Sequence, residues 1–449
     1  MREVKFEIKR TDLAGRVAKL KTKSGYVETP AVLPVIHPIK QVISCQEIKE
    51  IGFEAVMTNA YIISKRVPKD EQEKGVHKII NFDGVVMTDS GGYQVLLYGE
   101  VDVSAEDIAR FEERIGSDIA VILDTPTGMK KGKRWAERTV KETLLAARKT
   151  LKVIKRDDIL WTGTIQGGKY LDLIEKSAKE LSNLGFQILA LGSPTEVMES
   201  YNFQLLVNMI ITAKKSIPLS KPLHLFGAGH PLTIPLAVAL GCDLFDSASY
   251  ILYARDRRYM TLNGTLRLED MKYLPCTCPI CSRYSLNELK EREDAEELIA
   301  RHNLYILIQT IKEVKQAIYE GRLWELVSER ANAHPMLYKA FKILAREEFL
   351  EDGTPLFKQR AVFISSQDDL FRPEVVRAKK RLKELAHDED KELLILLADW
   401  IEKPVFYSDV YKICKELISK DNASYYVLSP IYGIYPVEVS DIYPLSQYE

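Results

Sequence analysis

The chain has 449 residues, too many for one ordinary hydrophobic core, so two domains or a barrel with an appendage are expected. Hydrophobic residues make up 46% and charged residues 28%, which excludes a disordered polymer. A formal net charge of -1 excludes binding of a polyanion through bulk charge, so any nucleic-acid surface has to come from local clusters.

Residues 1–10 alternate as a strand does and contain no apolar leader. No apolar run is long enough to span a bilayer, so the expectation is a soluble, cytoplasmic protein with no membrane partner. Alternation continues to residue 27 with a turn at Lys23-Ser24-Gly25, which predicts strands that precede or plug a barrel.

From residue 30 to 250 one pattern repeats: a short apolar, β-branched run ends in small or polar residues, and a helical stretch comes after it. The predicted strands are 31–34, 55–59, 85–89, 120–124, 161–166, 188–192, 223–227 and 244–246. Helices are predicted at 105–115, 134–154, 171–184, 203–215 and 232–240, the second on the spacing of Val140, Leu144, Leu145, Leu151 and Ile154. Alternating strand and helix implies parallel pairing, and eight such units fit a (β/α)8 TIM barrel. An open doubly wound sheet is the rival, but no Gly-rich phosphate turn follows the first strand. The expected organisation is a barrel over 1–270, a zinc-binding helical subdomain over 271–333 and a smaller α+β domain over 334–449.

In a barrel the chemistry sits at the carboxyl ends of the strands. Those ends carry Asn59, Asp89-Ser90-Gly91-Gly92, Asp124, Gln166-Gly167-Gly168, Gly192, Gly227-Ala228-Gly229-His230 and Asp246. Any single Asp or Asn here also suits a helix cap or a turn. Caps do not call for Gly pairs on three strands, however, and repeated glycines point to a ligand lying close to the backbone. A carboxylate attacks a sugar anomeric carbon and a second carboxyl moves protons. An Asp with a Gln reads the edge of a flat heteroaromatic base on which Tyr93 stacks. Spacing alone leaves open which Asp is the nucleophile.

Three of the six cysteines crowd into Cys276-Thr-Cys278-Pro-Ile-Cys281, and His302 is the nearest histidine downstream. Three thiolates and an imidazole complete a closed tetrahedral site, which favours one structural zinc ion over an iron–sulfur cluster or an open catalytic metal. Two basic clusters follow strand ends: Lys130-Lys131-Gly132-Lys133-Arg134 and Arg255-Asp256-Arg257-Arg258. Their position on the active face makes Lys130, Lys131, Arg255, Arg257 and Arg258 candidate phosphate contacts. A third basic stretch, from Arg372 to Arg381, reads as a charged helix facing either RNA or water.

Taken together, Thr88-Asp89-Ser90-Gly91-Gly92-Tyr93-Gln94, Gln166-Gly167-Gly168, the run from His224 to Pro231, Phe245-Asp246-Ser247, Tyr253-Ala-Arg255 and the set of three cysteines with His302 resemble the tRNA-guanine transglycosylases. The resemblance runs in order through roughly residues 1–330. Met198-Glu-Ser-Tyr-Asn and the form of the 224–231 run resemble the archaeal, archaeosine-forming branch. The resemblance implies a (β/α)8 barrel with a zinc subdomain. It also implies exchange of guanine 15 in the tRNA D-arm for 7-cyano-7-deazaguanine (preQ0) through a covalent Asp–ribose intermediate, with no energy cofactor. Asp246 then matches the nucleophile, Asp89 the general acid/base, Asp124 and Gln166 the base-edge readers, Tyr93 the stacking aromatic and Ser90 a pocket-lining residue. A homodimer formed near the zinc region is also implied.

Two departures stand out. Gly192-Ser193-Pro194-Thr195 occupies the place where archaeal members usually carry apolar residues whose amides meet the base. Pro194 has no amide to donate, so the contact made around Gly192 and Ser193 shifts to Ser193 or Thr195 or is lost. Residues 334–449 resemble the first archaeal C-terminal domain, and no PUA module follows. A split form with the PUA domain on a separate polypeptide is expected, or else loss of that module. The competing reading is a non-catalytic tRNA-binding partner subunit, and a third is an enzyme acting on a base already inserted. Both predict a missing nucleophile or pocket residue, and Asp246, Asp89, Asp124 and Gln166 are all present.

Overall fold

The computed structural model describes residues 5–92, 103–385, 391–400, 402–418 and 423–449. Phe6–Asp12 (β1), Gly15–Lys21 (β2) and Tyr26–Thr29 (β3) form an antiparallel sheet. Eight parallel strands come next: Ala31–Pro34 (β4), Ala55–Asn59 (β5), Val85–Asp89 (β6), Ile119–Val121 (β7), Leu160–Ile165 (β8), Ile188–Leu191 (β9), Leu223–Leu225 (β10) and Leu244–Ser247 (β11). Their order is β4-β11-β10-β9-β8-β7-β6-β5. The two ends of this sheet meet, because Ile36 N–H donates to the Met57 carbonyl at 2.7 Å and Val35 bridges Met57 in parallel. The result is the (β/α)8 barrel that the alternating pattern predicts, with helices on its outer face.

Side chains alternate across each strand with period two. Met57, Val85, Met87, Ile119, Val121 and Leu244 share an interior cluster, whereas Val56, Val86, Ala120 and Phe245 join the larger cluster beneath the helices. With both faces buried, the strands read as unbroken apolar runs. Leu20 and Val27 enter the interior cluster too, so the N-terminal sheet plugs the end of the barrel from which the strands start. Several strands stop earlier than predicted: β7 ends at Val121, leaving Asp124 in the segment beyond it, and β10 ends at Leu225. The helix Lys133–Val153 buries Ala136, Thr139, Val140, Thr143, Leu144, Ala147 and Thr150, but Leu145 is 52% exposed. Small residues carry the packing there, and Leu145 lies one position off the buried stripe.

Past the barrel, Arg258–Thr261 (β12) and Gly264–Arg267 (β13) form a hairpin. The helix Ala295–Glu320 then packs against β1, β2, β4 and β12 and ends at Gly321 with φ 72°. The barrel's apolar core continues through helix Pro335–Leu344 to Leu350. A separate cluster, including Val362, Val375, Leu397, Tyr425, Val427 and Tyr435, underlies Leu393–Ala398 (β14), Ala423–Ser429 (β15) and Gly433–Pro436 (β16). Of the described residues, no helix is long and apolar enough to cross a membrane.

Buried charges tie the C-terminal part to the barrel. Lys358 Nζ lies 2.7 Å from Asp12 and also pairs with Glu374, and Arg372 pairs with Glu325 at 2.8 Å. Burial alone would raise Glu374, but the Lys358 and Arg372 charges outweigh it and hold its carboxyl at about 2. The charged helix predicted near 372–381 is present as Pro373–Leu382. Arg372 is buried in this network, however, and faces neither RNA nor water, while the half-buried Arg377 donates to the carbonyls of Glu351, Thr354 and Pro355. Lys358→Ala would strand Asp12 without a counter-charge and leave Glu374 only Arg372, 3.5 Å away. We predict a loss of about 3–5 kcal/mol in unfolding free energy, measured by denaturant titration.

Candidate active site and metal cluster

The period-two alternation decides which polar side chains reach the barrel mouth. Met57 and Met87 point inward, so Asn59 and Asp89, two residues on, do as well. Leu244 points inward and carries Asp246 with it. Trp161 and Ile165 face the helices, as do Leu223 and Leu225, so Gln166 and His224 point inward.

Asp124 and Gln166 form a locked pair, with Gln166 Nε2 donating to Asp124 Oδ2 at 2.6 Å. The Gln166 carbonyl oxygen accepts from Thr127 N–H, Thr127 Oγ1 and Ser193 Oγ, each at 3.0 Å. These contacts fix the carboxamide so that its nitrogen faces Asp124. Ser193 sits at φ 61°, unusual for a residue with a side chain, and its Oγ also accepts from Thr127 N–H at 3.1 Å. Two glycines are required by this closeness: a Cβ on Gly192 would lie 2.3 Å from Gln166 Nε2, and one on Gly92 would lie 2.1 Å from Asp124 Oδ1. Pro194 follows Ser193 and begins the helix Thr195–Glu199. Ser90 is buried and donates to the Ile122 carbonyl at 2.9 Å, which ties the β6 loop to the segment leading into Asp124.

Asp89 accepts from Asn59 Nδ2 at 2.9 Å and from the Gly91 backbone. Burial, reinforced by the Asp124 and Asp246 charges, pushes its carboxyl up to about 7. Burial raises Asp124 to about 6, partly offset by the Gln166 hydrogen bond. Asp246 Oδ1 accepts from Gly227 N–H at 3.0 Å and lies 2.9 Å from His224 Nε2. Three carboxyl groups, two on β6 and β11 and one just beyond β7, therefore converge, and the Asp89 carboxyl lies near neutrality, where such a group can exchange protons.

Cys276, Cys278, Cys281 and His302 offer ligand atoms that all lie within 4.8 Å of one another. His302 turns Nδ1 toward the sulfurs of Cys278 and Cys281, at 3.5 and 3.4 Å, and donates Nε2–H to the Met260 carbonyl at 2.8 Å. A ligating imidazole needs this arrangement, with the outer N–H fixed on a carbonyl, so three sulfurs and one nitrogen fit a tetrahedral metal ion. Tyr259 stacks on His302 with ring centres 3.6 Å apart. Asn303, the next residue, accepts from Met260 N–H and donates to the carbonyls of Tyr250 and Arg258. Sequence reasoning misses Asn303 and Tyr259, because their partners are backbone atoms and a ring distant in sequence.

The basic residues divide. Lys130 and Lys131 are exposed after β7. Arg255 is exposed and pairs with Glu296 at 3.1 Å. Arg257 is engaged by Glu269 and by the Lys290 carbonyl, and Arg258 lies 3.8 Å over the Tyr253 ring. Lys40, Arg66 and Arg255, carried beyond β4, β5 and β11, all act on His37. Lys40 and Arg66 add cations near this group that lie outside the two basic clusters picked out in the sequence. Tyr93 lies outside the described residues.

Asp89 is raised from 3.8 to about 7, so its ionisation adds no cost to folding below pH 4 and progressively more as pH rises to 7. Asp89→Asn removes that dependence. Its melting temperature should gain on the parent's between pH 4 and pH 7, with the gap flat at higher pH, measured by calorimetry across that range. Cys278→Ser should abolish retained metal, read by elemental analysis, and lower the melting temperature.

A family model described as Queuine tRNA-ribosyltransferase matches residues 12–336. The chain is 44% identical over 452 residues to the tRNA-guanine(15) transglycosylase of Sulfolobus acidocaldarius, covering 99% of this chain and 88% of that one. It is 44% identical to the enzyme of the same name from Pyrobaculum aerophilum over 99% and 90% of the two chains. With that of Methanocaldococcus jannaschii it shares 42% identity over 99% of this chain and 68% of the relative. With the barrel, the mouth carboxylates and the cysteine–histidine cluster in place, the chain belongs to the tRNA-guanine transglycosylase family of enzymes, alongside its archaeal tRNA-guanine(15) members.

Proposed function

We propose that this enzyme exchanges guanine 15 of the tRNA D-arm for preQ0, the step that commits a tRNA to archaeosine. The observation that carries the reading is Asp246 in one mouth with Asp89, whose carboxyl titrates near neutrality. An Asp246 oxygen attacks C1′ of nucleotide 15 while the C1′–N9 bond breaks, and the bonding electrons leave with guanine. Protonated Asp89 supplies the proton that the departing base takes up. In the second half Asp89 accepts the N9 proton of preQ0, N9 attacks C1′, and the Asp246–C1′ bond breaks. One glycosidic bond replaces another, so no energy carrier is needed.

Guanine and preQ0 present the same hydrogen-bonding edge. Asp124 accepts from its N–H groups, and Gln166, which has a second Nε2 hydrogen beyond the one given to Asp124, donates to its carbonyl. Ser90 and the Gly192–Ser193 backbone line the same pocket, and Tyr93 stacks on the base. Lys130, Lys131, Arg255, Arg257 and Arg258 are assigned to the tRNA backbone, with Arg257 held by internal partners. The Cys276, Cys278, Cys281 and His302 site takes zinc in a structural role, since four protein ligands leave no open position. The unit boundaries proposed are 1–270, 271–333 and 334–449. The assembly proposed is a homodimer acting in the cytoplasm with a separate PUA-domain polypeptide.

Exchange is tested by incubating the protein with tRNA and labelled guanine or preQ0, with and without a PUA-domain polypeptide. No incorporation in either case would overturn the reading, and incorporation that persists with guanine 15 replaced would relocate the target. Asp246→Ala should lose the covalent tRNA adduct on a denaturing gel and slow exchange by at least about 10³-fold, with its melting curve retained. An adduct surviving in that variant would mean another nucleophile.

A further inference from the structure

We propose that His224 is a positioning residue that sets the rotation of the Asp246 carboxylate for attack, an inference that rests on Asp246 being the nucleophile. His224 is wholly buried on β10, and its neighbour in register, Leu244, lies two residues before Asp246 on β11. Burying an imidazole only to fill space leaves two ring nitrogens without water, a role that a phenyl ring serves at lower cost. Nε2 lies 2.9 Å from Asp246 Oδ1. Nδ1 is buried and has no hydrogen-bond partner among the described residues. A hydrogen on Nδ1 would be stranded, so the ring hydrogen belongs on Nε2, where it is donated to the carboxylate.

Gly227 N–H reaches the same oxygen at 3.0 Å, so both donors fall on Oδ1. Two donors on one oxygen stop rotation about Cβ–Cγ and reserve Oδ2 for the anomeric carbon. Asp89, which feels the Asp246 charge from β6, is the other titrating group facing this pair. Phe226 meets the His224 ring edge-on with centres 4.7 Å apart and restricts its tilt. A nucleophile held in a near-attack position reacts much faster than one free to turn.

The test compares parent, Asp246→Ala, His224→Phe and His224→Gln in single-turnover adduct formation with tRNA, alongside tRNA affinity and melting temperature. His224→Phe should form the adduct about 10²-fold more slowly with tRNA affinity unchanged, and His224→Gln, which keeps an N–H at similar reach, should recover most of the rate. A purely structural role predicts that Phe and Gln track melting temperature instead, and that result would overturn the proposal. An adduct that forms in the parent but maps to a residue other than Asp246 would overturn the underlying assignment first. Nitrogen NMR of labelled histidine in the intact parent reads the tautomer without any variant. An unprotonated Nδ1 at neutral pH is expected, and a hydrogen there would refute the proposal.

Discussion

The hydrogen bond from Ile36 to the Met57 carbonyl joins the first barrel strand to the second and turns an open sheet into a closed one. The Thr58 hydroxyl adds a second link to the Ile36 carbonyl at 2.9 Å. Closure forces all eight carboxyl ends onto one rim, and period-two alternation then points every second side chain at that rim inward. Asp89, Gln166, His224 and Asp246, spread over much of the chain, become neighbours for this reason alone. A sheet left open between β4 and β5 would keep each strand and lose the mouth.

Crowding carboxyl groups into that mouth has an energetic consequence. Desolvation lifts Asp89 and Asp124, and their mutual repulsion with Asp246 adds to the effect on Asp89. The fold offsets it with directed donors: Asn59 on Asp89, Gln166 on Asp124, and Gly227 with His224 on Asp246. The donors are not equivalent in outcome. Asp89 remains shifted to near neutrality, which would suit the proton-transfer role proposed for it. Thr127 and Ser193 hold Gln166 in the one orientation that presents nitrogen to Asp124, so the polar face these two side chains offer is set one layer behind them.

The parts away from the barrel act on its rim. His302 and Asn303, adjacent on one helix, each grip Met260, the first through its carbonyl and the second through its N–H. The metal cluster is thereby coupled to β12 and to Arg258 at the end of the eighth unit. At the opposite side, the Asp12–Lys358–Glu374 pairing links β1 to the C-terminal region through charges that no water reaches. In such a junction desolvation of the charges offsets much of their attraction, while loss of one partner leaves the others buried and unpaired.

The sequence by itself determined the architecture and the residue types at the mouth. Repeated apolar runs ending in Asp, Asn, Gln or Gly have few solutions other than a parallel barrel, and three thiolates in a short span have few uses besides a metal. It also determined where strands begin more reliably than where they end: β7 stops at Val121 although Ile122 and Leu123 continue its apolar run, and β10 stops at Leu225. Tertiary structure alone decided which groups are paired. His224 reads as one letter of a motif until the flanking Leu223 and Leu225 turn outward and aim it at Asp246. Arg372 and Arg377 read as a basic surface until partners distant in sequence bury the first and engage the second. Leu145 fits the helical spacing and still faces water, because periodicity specifies a stripe and only a packed neighbour specifies its edge. Pairing and burial are properties of residues brought together from distant positions, and no local pattern encodes that.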